Sequence, residues 1–359
     1  MRRRRSRRAA AASAFVIASF LTFGPVGAGA APPGGEVEVN IAYVPAVGAE
    51  HLVIEQPLGR LTLRAWDRPE VKIVARKQAP TSATLDRLKV NVEIKDGTIR
   101  VRTGVRVGDA FRALPPPAAA RAAGSTEAGG PSGSGGPSGP GGSGGPGGPL
   151  AIDLTIDAPR SVVLNARTWA GDVDASGFRA GAELSSASGE VRASDIEGRV
   201  RTNALRGRQQ LRSIRGDVEA DGVTGDLELV EIDGQLLVAR VVEGQITARE
   251  VRSPTVRLLT TAGGIVLVGT LRLGAKVELA THDGDIRVAL RPGPFTLHAR
   301  AFDGLVRSAF PLALTPSSPP ALIAPQPRLD GTHRGGGASL ELTTYNGSIT
   351  LETAPERSK

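Results

Sequence analysis

There is no cysteine among the 359 residues. That excludes disulfides, thiol catalysis and lipid attachment at a signal-peptide cysteine. Such a chain is at ease in an oxidising compartment without requiring one. Aromatic residues are only 3% of the chain, whereas hydrophobic residues are 40%. Any core must therefore be built from Val, Leu, Ile and Ala. The sequence carries no phosphate-binding Gly-Lys loop, no dinucleotide fingerprint and no Gly-x-Ser-x-Gly elbow. Beyond residue 30 no apolar run is long enough to span a bilayer, and the segment Thr353 to Lys359 is polar.

The net charge of +8 suggests a nucleic-acid partner until its distribution is read. Six arginines (Arg2, Arg3, Arg4, Arg5, Arg7 and Arg8) precede the apolar run Ala9 to Phe23, and small residues then lead to Ala28-Gly29-Ala30. A basic start, a short apolar stretch and a small-residue cleavage site form a secretory signal peptide over residues 1–30. Removing it takes away six arginines and no acid, so the charge falls from +8 to +2. That is no electrostatic footprint for a phosphate backbone, and no nucleic acid is expected as a partner. Ser6-Arg7-Arg8 resembles part of a twin-arginine signal, which leaves the export route open.

Residues 31–112 alternate polar and apolar, as in Arg60-Leu61-Thr62-Leu63-Arg64 and Lys89-Val90-Asn91-Val92-Glu93-Ile94. Period-two alternation predicts half-buried strands, and Asp96-Gly97 between two such runs predicts a hairpin turn. Residues 113–149 open with Leu114-Pro115-Pro116-Pro117 and become almost pure Gly, Ser and Pro from Gly129 to Pro149, which predicts a disordered linker insertion. Residues 150–310 carry repeats, 311–337 form a second Pro- and Gly-rich interruption, and 338–359 hold closing strands and a tail.

The repeats are the most informative feature. Glycines recur at Gly189, Gly198, Gly207, Gly216, Gly225, Gly234 and Gly244, nine residues apart except for the last gap of ten. Counted from each glycine, the third position is apolar (Val200, Val218, Leu227, Leu236, Ile246), with Gln209 the departure. The eighth is apolar too (Leu205, Ile214, Val223, Ile232). Gly263, Gly284 and Gly304 continue at about twice that spacing. A turn glycine and two inward apolar positions at a fixed short period predict an all-β fold. The expected form is a single-stranded β-solenoid, a parallel β-helix with a β-rich N-terminal segment. Charge decides the size of a coil. With nine residues per coil Arg199 stacks on Arg208 and Asp217 on Asp226, and like charges one strand spacing apart repel. With eighteen, Arg199 meets Asp217, Glu197 meets Arg215, which meets Asp233, and Arg201 meets Glu219. The reading is therefore about 18–20 residues per coil, with apolar ladders Val200–Val218–Leu236 and Leu227–Ile246.

Several stretches resemble the bacterial putative-adhesin family of exported β-solenoids. They are Gly59 to Asp67 with Glu70-Val71-Lys72-Ile73, and Ile152 to Pro159. The units Gly171-Asp172-Val173, Gly189-Glu190-Val191, Gly216-Asp217-Val218 and Gly284-Asp285-Ile286 add to these, as does the closing pair Leu340 to Leu351. The resemblance covers most of residues 36–352. It implies a surface or periplasmic binding role and no chemistry.

Candidate chemistry is sparse. The four histidines are His51, His282, His298 and His333, and only His282-Asp283-Gly284-Asp285 forms a cluster. One histidine with two turn acids falls short of a metal or catalytic set. Asp172, Glu190, Asp217, Asp226 and Asp285 follow turn glycines, but Arg199, Arg208 and Gln235 hold the same offset elsewhere, unlike a calcium-binding β-roll. Arg199, Arg201, Arg206, Arg208, Arg212 and Arg215 form a basic stretch that reads as a polyanion site or as a face neutralised by neighbouring coils. Trp66 and Trp169 read as sugar platforms or as core and cap residues. No catalytic residue, metal ligand or cofactor is assigned, and the ligand-binding residues stay unassigned. The sequence reads as an exported, non-enzymatic, adhesin-like binding or envelope-structural protein. Its partner is an envelope or extracellular ligand, polysaccharide or protein. The alternatives are an envelope-stress accessory protein or a polysaccharide-lyase-type enzyme.

Overall fold

The computed structural model describes residues 36–107, 110–113, 150–314 and 327–354. The signal segment 1–30, the linker from residue 114 to 149 and the tail from 355 lie outside the described residues, as do 315–326 of the second interruption. The chain begins with β1 (Glu36–Pro45), β2 (His51–Leu58), β3 (Leu61–Trp66), β4 (Glu70–Ala79) and the helix α1 (Ser82–Arg87). There follow β5 (Leu88–Lys95), β6 (Thr98–Val107), β7 (Ala110–Ala113) and β8 (Ala151–Pro159). The repeats supply β9 (Val163–Ala170), β10 (Val173–Ser176), β11 (Ala182–Ser188), β12 (Val191–Glu197), β13 (Val200–Arg206) and β14 (Gln209–Arg215). They continue with β15 (Val218–Thr224), β16 (Leu227–Asp233), β17 (Leu236–Glu243), β18 (Ile246–Arg249), β19 (Thr255–Ala262) and β20 (Ile265–Gly269). Last come β21 (Lys276–Asp283), β22 (Ile286–Leu290), β23 (Phe295–Asp303), β24 (Val306–Ser308), β25 (Ala313–Leu314), β26 (Arg328–His333), β27 (Ala338–Asn346) and β28 (Ile349–Thr353).

These strands form a β-solenoid with two walls. Among the described residues wall A has 13 strands and wall B has 15, and successive repeat units alternate between them. Pairing along the repeats is parallel with an offset of eighteen residues: Val191 lies beside Gln209, Val200 beside Val218, and Gln209 beside Leu227. The eighteen-residue coil inferred from charge is thus the one present. Later coils lengthen to nineteen, with Leu227 beside Ile246, and then to twenty-one, with Ile265 beside Ile286.

The core is a set of aliphatic columns. One runs Leu61, Val173, Val191, Gln209, Leu227, Ile246, Ile265, Ile286, Ile349 and Val306, and all are buried. Each buried Val, Leu or Ile contributes about 1.5–3 kcal/mol, so a stack of such rungs stabilises what no single coil can. The expected ladder through Leu236 needs correction. Val218 pairs with Leu237, and Leu236 points outward at 37% exposure. The extra residue sits at the corner Gly234–Gln235, where the coil grows from eighteen to nineteen residues.

The eighth-position expectation is half right. Ile196, Ile214 and Ile232 on wall A are buried, but Leu205 and Val223 on wall B are each 44% exposed. On wall A the residue before each isoleucine (Asp195, Ser213, Glu231) has φ between +52° and +57°, a local kink that reverses the inward–outward parity. The wall B strands show no positive φ at that point, so their alternation runs on and places position eight in solvent.

A glycine spine holds one corner. A Cβ on Gly189 would lie 2.1 Å from the carbonyl oxygen of Gly171, one on Gly207 2.1 Å from that of Gly189, and one on Gly225 2.4 Å from that of Gly207. The approach of successive corners leaves no room for any side chain.

Chain order and spatial order part company at both ends. Strand β8 lies between β3 and β4. At the far end β27 and β28, the expected closing pair, sit next to last in the stack, between β21–β22 and β23–β24. The intercalation separates like charges at two rungs, although it sets Glu341 beside Glu278. Asn346 separates Asp283 from Asp303, and Thr350 separates Arg287 from Arg307. Direct stacking of β23–β24 on β21–β22 would place those like charges side by side. Antiparallel strands finish both ends: β4 and β1 on wall A, β5 and the β26–β25 pair on wall B. The β5–β6 hairpin turns on Asp96 and Gly97, with φ of +49° and +71°, as the sequence predicts. The scarce aromatics concentrate at the C-terminal end, where Phe295, Phe310 and His333 pack with ring centroids 5.2–5.3 Å apart.

Candidate functional site

The acids that follow the turn glycines are corner caps. Asp172 Oδ1 accepts the Glu190 backbone N–H at 3.0 Å, Asp226 Oδ1 that of Gln245 at 3.0 Å, and Asp285 Oδ1 that of Ser348 at 2.8 Å. Asp217 Oδ1 accepts two, from Gln235 and Leu236, each at 3.0 Å. Asp153, which the sequence did not single out, does the same for Arg60 at 2.8 Å. Each carboxylate thus reaches to the next coil and satisfies a corner amide, as N-cap residues do for helices. Glu190 differs and pairs with Arg192.

The His282 cluster does not converge. His282 lies in a stack of rings, 5.1 Å from Tyr345, and its Nδ1 is 3.2 Å from Asp283. The Asn346 amide, and after it His282, hold the Asp283 carboxyl below the ordinary carboxylate range. Asp285 faces the turn and its backbone partner. Elsewhere His333 is buried among phenylalanines with Nδ1 2.8 Å from the Pro311 carbonyl oxygen, and His51 is exposed at the start of β2. His298 Nδ1 lies 3.1 Å from buried Asp330, which also takes Arg328 Nε at 2.5 Å. Burial opposes the Asp330 charge, but the Arg328 and His298 hydrogen bonds outweigh it and keep its pKa low. Among the described residues no group of three or more His, Cys, Asp or Glu is placed to hold a metal ion.

The basic stretch is dispersed over the coil. Arg201 meets Glu219 at 3.8 Å on wall B, Arg208 and Arg212 meet Glu228 at 3.6 and 3.3 Å on wall A, and Arg215 meets Glu197 at 3.5 Å at a corner. Gln209, the departure from the apolar pattern, is buried across the core. Its Oε1 accepts from Thr202 Oγ1 at 2.6 Å and its Nε2 donates to the Asp221 carbonyl at 2.8 Å. Gly222 leaves it space, since a Cβ there would lie 3.0 Å from that nitrogen. Trp66 donates Nε1–H to the Glu70 carbonyl at 2.8 Å with the Arg68 guanidinium over its ring, a turn-fixing role.

Trp169 belongs to something the sequence reading missed. It opens a ridge on the outer face of wall B, continued coil by coil by Ala187, Leu205, Val223, Val242, Thr261, His282, Tyr345 and Phe302. Trp169, Leu205, Val223, Val242, Tyr345 and Phe302 are between 44% and 61% exposed. At one end His282, Tyr345 and Phe302 stack nearly parallel, with the Tyr345 and Phe302 ring centroids 4.6 Å apart at 9°. The signal was present as the apolar eighth position of alternate units, but it reads as core until the two walls are told apart. A cleft of about 470 Å³ lies at another corner and is lined by mixed charges, among them Arg179, Glu197, Arg215 and Asp233.

No family model matches the chain and no curated protein matches it. The adhesin resemblance therefore stands on the residues quoted for it. Among solved structures, a crystal structure described as a "putative cell adhesion protein" from Clostridium sporogenes aligns over 89% of this chain and 100% of its own. The identity is 8% and the TM-score 0.23, and a likeness at that level carries no functional weight.

Proposed function

We propose that this chain is an exported, non-enzymatic, adhesin-like binding protein that takes a protein partner along the ridge of wall B. The carrying observation is the ridge itself: half-exposed apolar side chains in register along one wall, where scattered singles are the norm on a soluble surface. The ring stack favours a protein over a polysaccharide. A sugar platform presents a free ring face, whereas both faces of Tyr345 are covered, by His282 and Phe302, each of which has one face against it.

Binding to isolated envelope material tests this reading, with the protein of the same cells removed by protease in a parallel sample. The triple variant Leu205→Ser, Val223→Ser, Val242→Ser should lose at least tenfold in affinity, about 1.4 kcal/mol. Protease treatment should abolish retention of the wild type. Retention unchanged in the triple variant would discard the ridge, and retention that survives protease would discard the protein partner. Export is tested on the same cells by the mass of the recovered chain, which should begin at Ala31.

A further inference from the structure

Among the described residues the outermost strands of the two walls are not alike. Wall A ends at one side in β24, three residues long, and wall B ends in β25, of which two residues are described. The other edge of wall B is β5, which carries Lys89, Glu93 and Lys95. Short strands and edge lysines are the usual means of preventing one sheet from pairing with another. The remaining edge of wall A is β1, ten residues long, without lysine and with proline only at its last position, Pro45. One face of β1 presents Val39, Ile41 and Tyr43 at 55%, 49% and 56% exposure.

We infer that β1 pairs antiparallel with β1 of a second copy of this chain, about a two-fold axis at Asn40, to join two copies of wall A into one sheet. The sequence of the strand suits its own reverse. Centred on Asn40, Val39 faces Ile41 of the second copy, Val37 faces Tyr43, Glu38 faces Ala42 and Glu36 faces Val44. The apolar row becomes continuous across the junction, and no carboxylate opposes another. Pro45, which has no N–H to offer, falls just outside the paired stretch. Glu38 stays occupied within its own copy, 3.3 Å from the buried Lys77 and accepting from Asn40 Nδ2 at 2.9 Å. An isologous contact of this kind closes after two copies and leaves the ridge on wall B free.

The test is the solution mass of the full chain, by sedimentation equilibrium, for the wild type and two double variants at these exposed positions. Wild type should be a dimer. Val39→Lys/Ile41→Lys places lysine opposite lysine at two rungs and should yield monomer. Val39→Lys/Ile41→Glu places lysine opposite glutamate in this register and should remain a dimer that dissociates more readily in high salt. Val47→Lys, beyond the strand and 86% exposed, should leave the dimer intact. Circular dichroism melts of each variant separate loss of pairing from loss of fold. A monomeric wild type at tens of micromolar would overturn the inference, as would a folded Lys/Lys variant that stays dimeric. A Lys/Glu variant that is monomeric would overturn the Asn40 register.

Discussion

Gly207→Ala isolates what the glycine spine contributes. The new Cβ would sit 2.1 Å from the Gly189 carbonyl oxygen and 2.7 Å from its carbon, and both are backbone atoms that no rotamer change can move. Relief requires the two corners to separate by more than an ångström. The hydrogen bonds that bracket the contact, Gly189 N–H to Arg206 and Val191 N–H to Arg208, are each 3.0 Å and would be lost or stretched. Two such bonds are worth about 1 kcal/mol each. Gly207 also has φ of +140°, a conformation that costs an L side chain about 1–3 kcal/mol. The total is about 3–5 kcal/mol. Gly274→Ala is the control: φ is +73°, nothing lies within 4 Å, and only conformational strain of about 1–2 kcal/mol applies. Urea unfolding followed by circular dichroism compares the two, with hydrogen exchange at Val191 reporting local opening. If Gly207→Ala lowers stability no more than Gly274→Ala, the corner is not sterically locked and the reasoning fails.

Two further substitutions probe the corners and the core. Asp217→Ala should cost about 1 kcal/mol in the urea midpoint, and Asp217→Asn, which keeps the accepting oxygen, should recover most of it. The exchange Arg199→Asp/Asp217→Arg should fail to restore stability, because Asp217 holds the Gln235 and Leu236 amides. A full rescue by the exchange would return the residue to a purely electrostatic role. Gln209→Ala should cost about 2–4 kcal/mol through a cavity and an unpaired Thr202 hydroxyl, whereas Gln209→Leu with Thr202→Val should stay within about 1 kcal/mol of wild type. An equal loss in both would show that the hydrogen bonds, and not packing volume, decide the site.

Coil size was legible because charges one strand apart must avoid their own kind, and the arginines and acids of residues 190–233 satisfy that at eighteen residues alone. The direction of position eight was not legible. The parity reversal on wall A rests on left-handed residues that include Ser213 and Glu231, and neither side chain announces that conformation. Leu236 was misplaced for a related reason: Leu236 and Leu237 are chemically identical candidates, and only the corner hydrogen bonds to Asp217 choose between them. The intercalated closing pair escaped because the spacing of Gly263, Gly284 and Gly304 fits uninterrupted stacking equally well. The candidate ridge was visible as composition but not as a surface, since that requires knowing which wall each unit occupies.

The displaced order of strands at the two ends bears on how the chain matures as it is synthesised. Coils from β9 to β22 can add one upon another as they emerge, each upon a finished neighbour. The ends cannot. The first coil, β2–β3, waits for β8 to arrive more than eighty residues later before the β1–β4 pair can join it. The outermost coil, β23–β24, has nothing to dock on until β27 and β28 have been made. Growth of the stack is therefore terminated by late arrivals that lock earlier strands in place, and a chain interrupted before residue 338 is left with its final coil undocked.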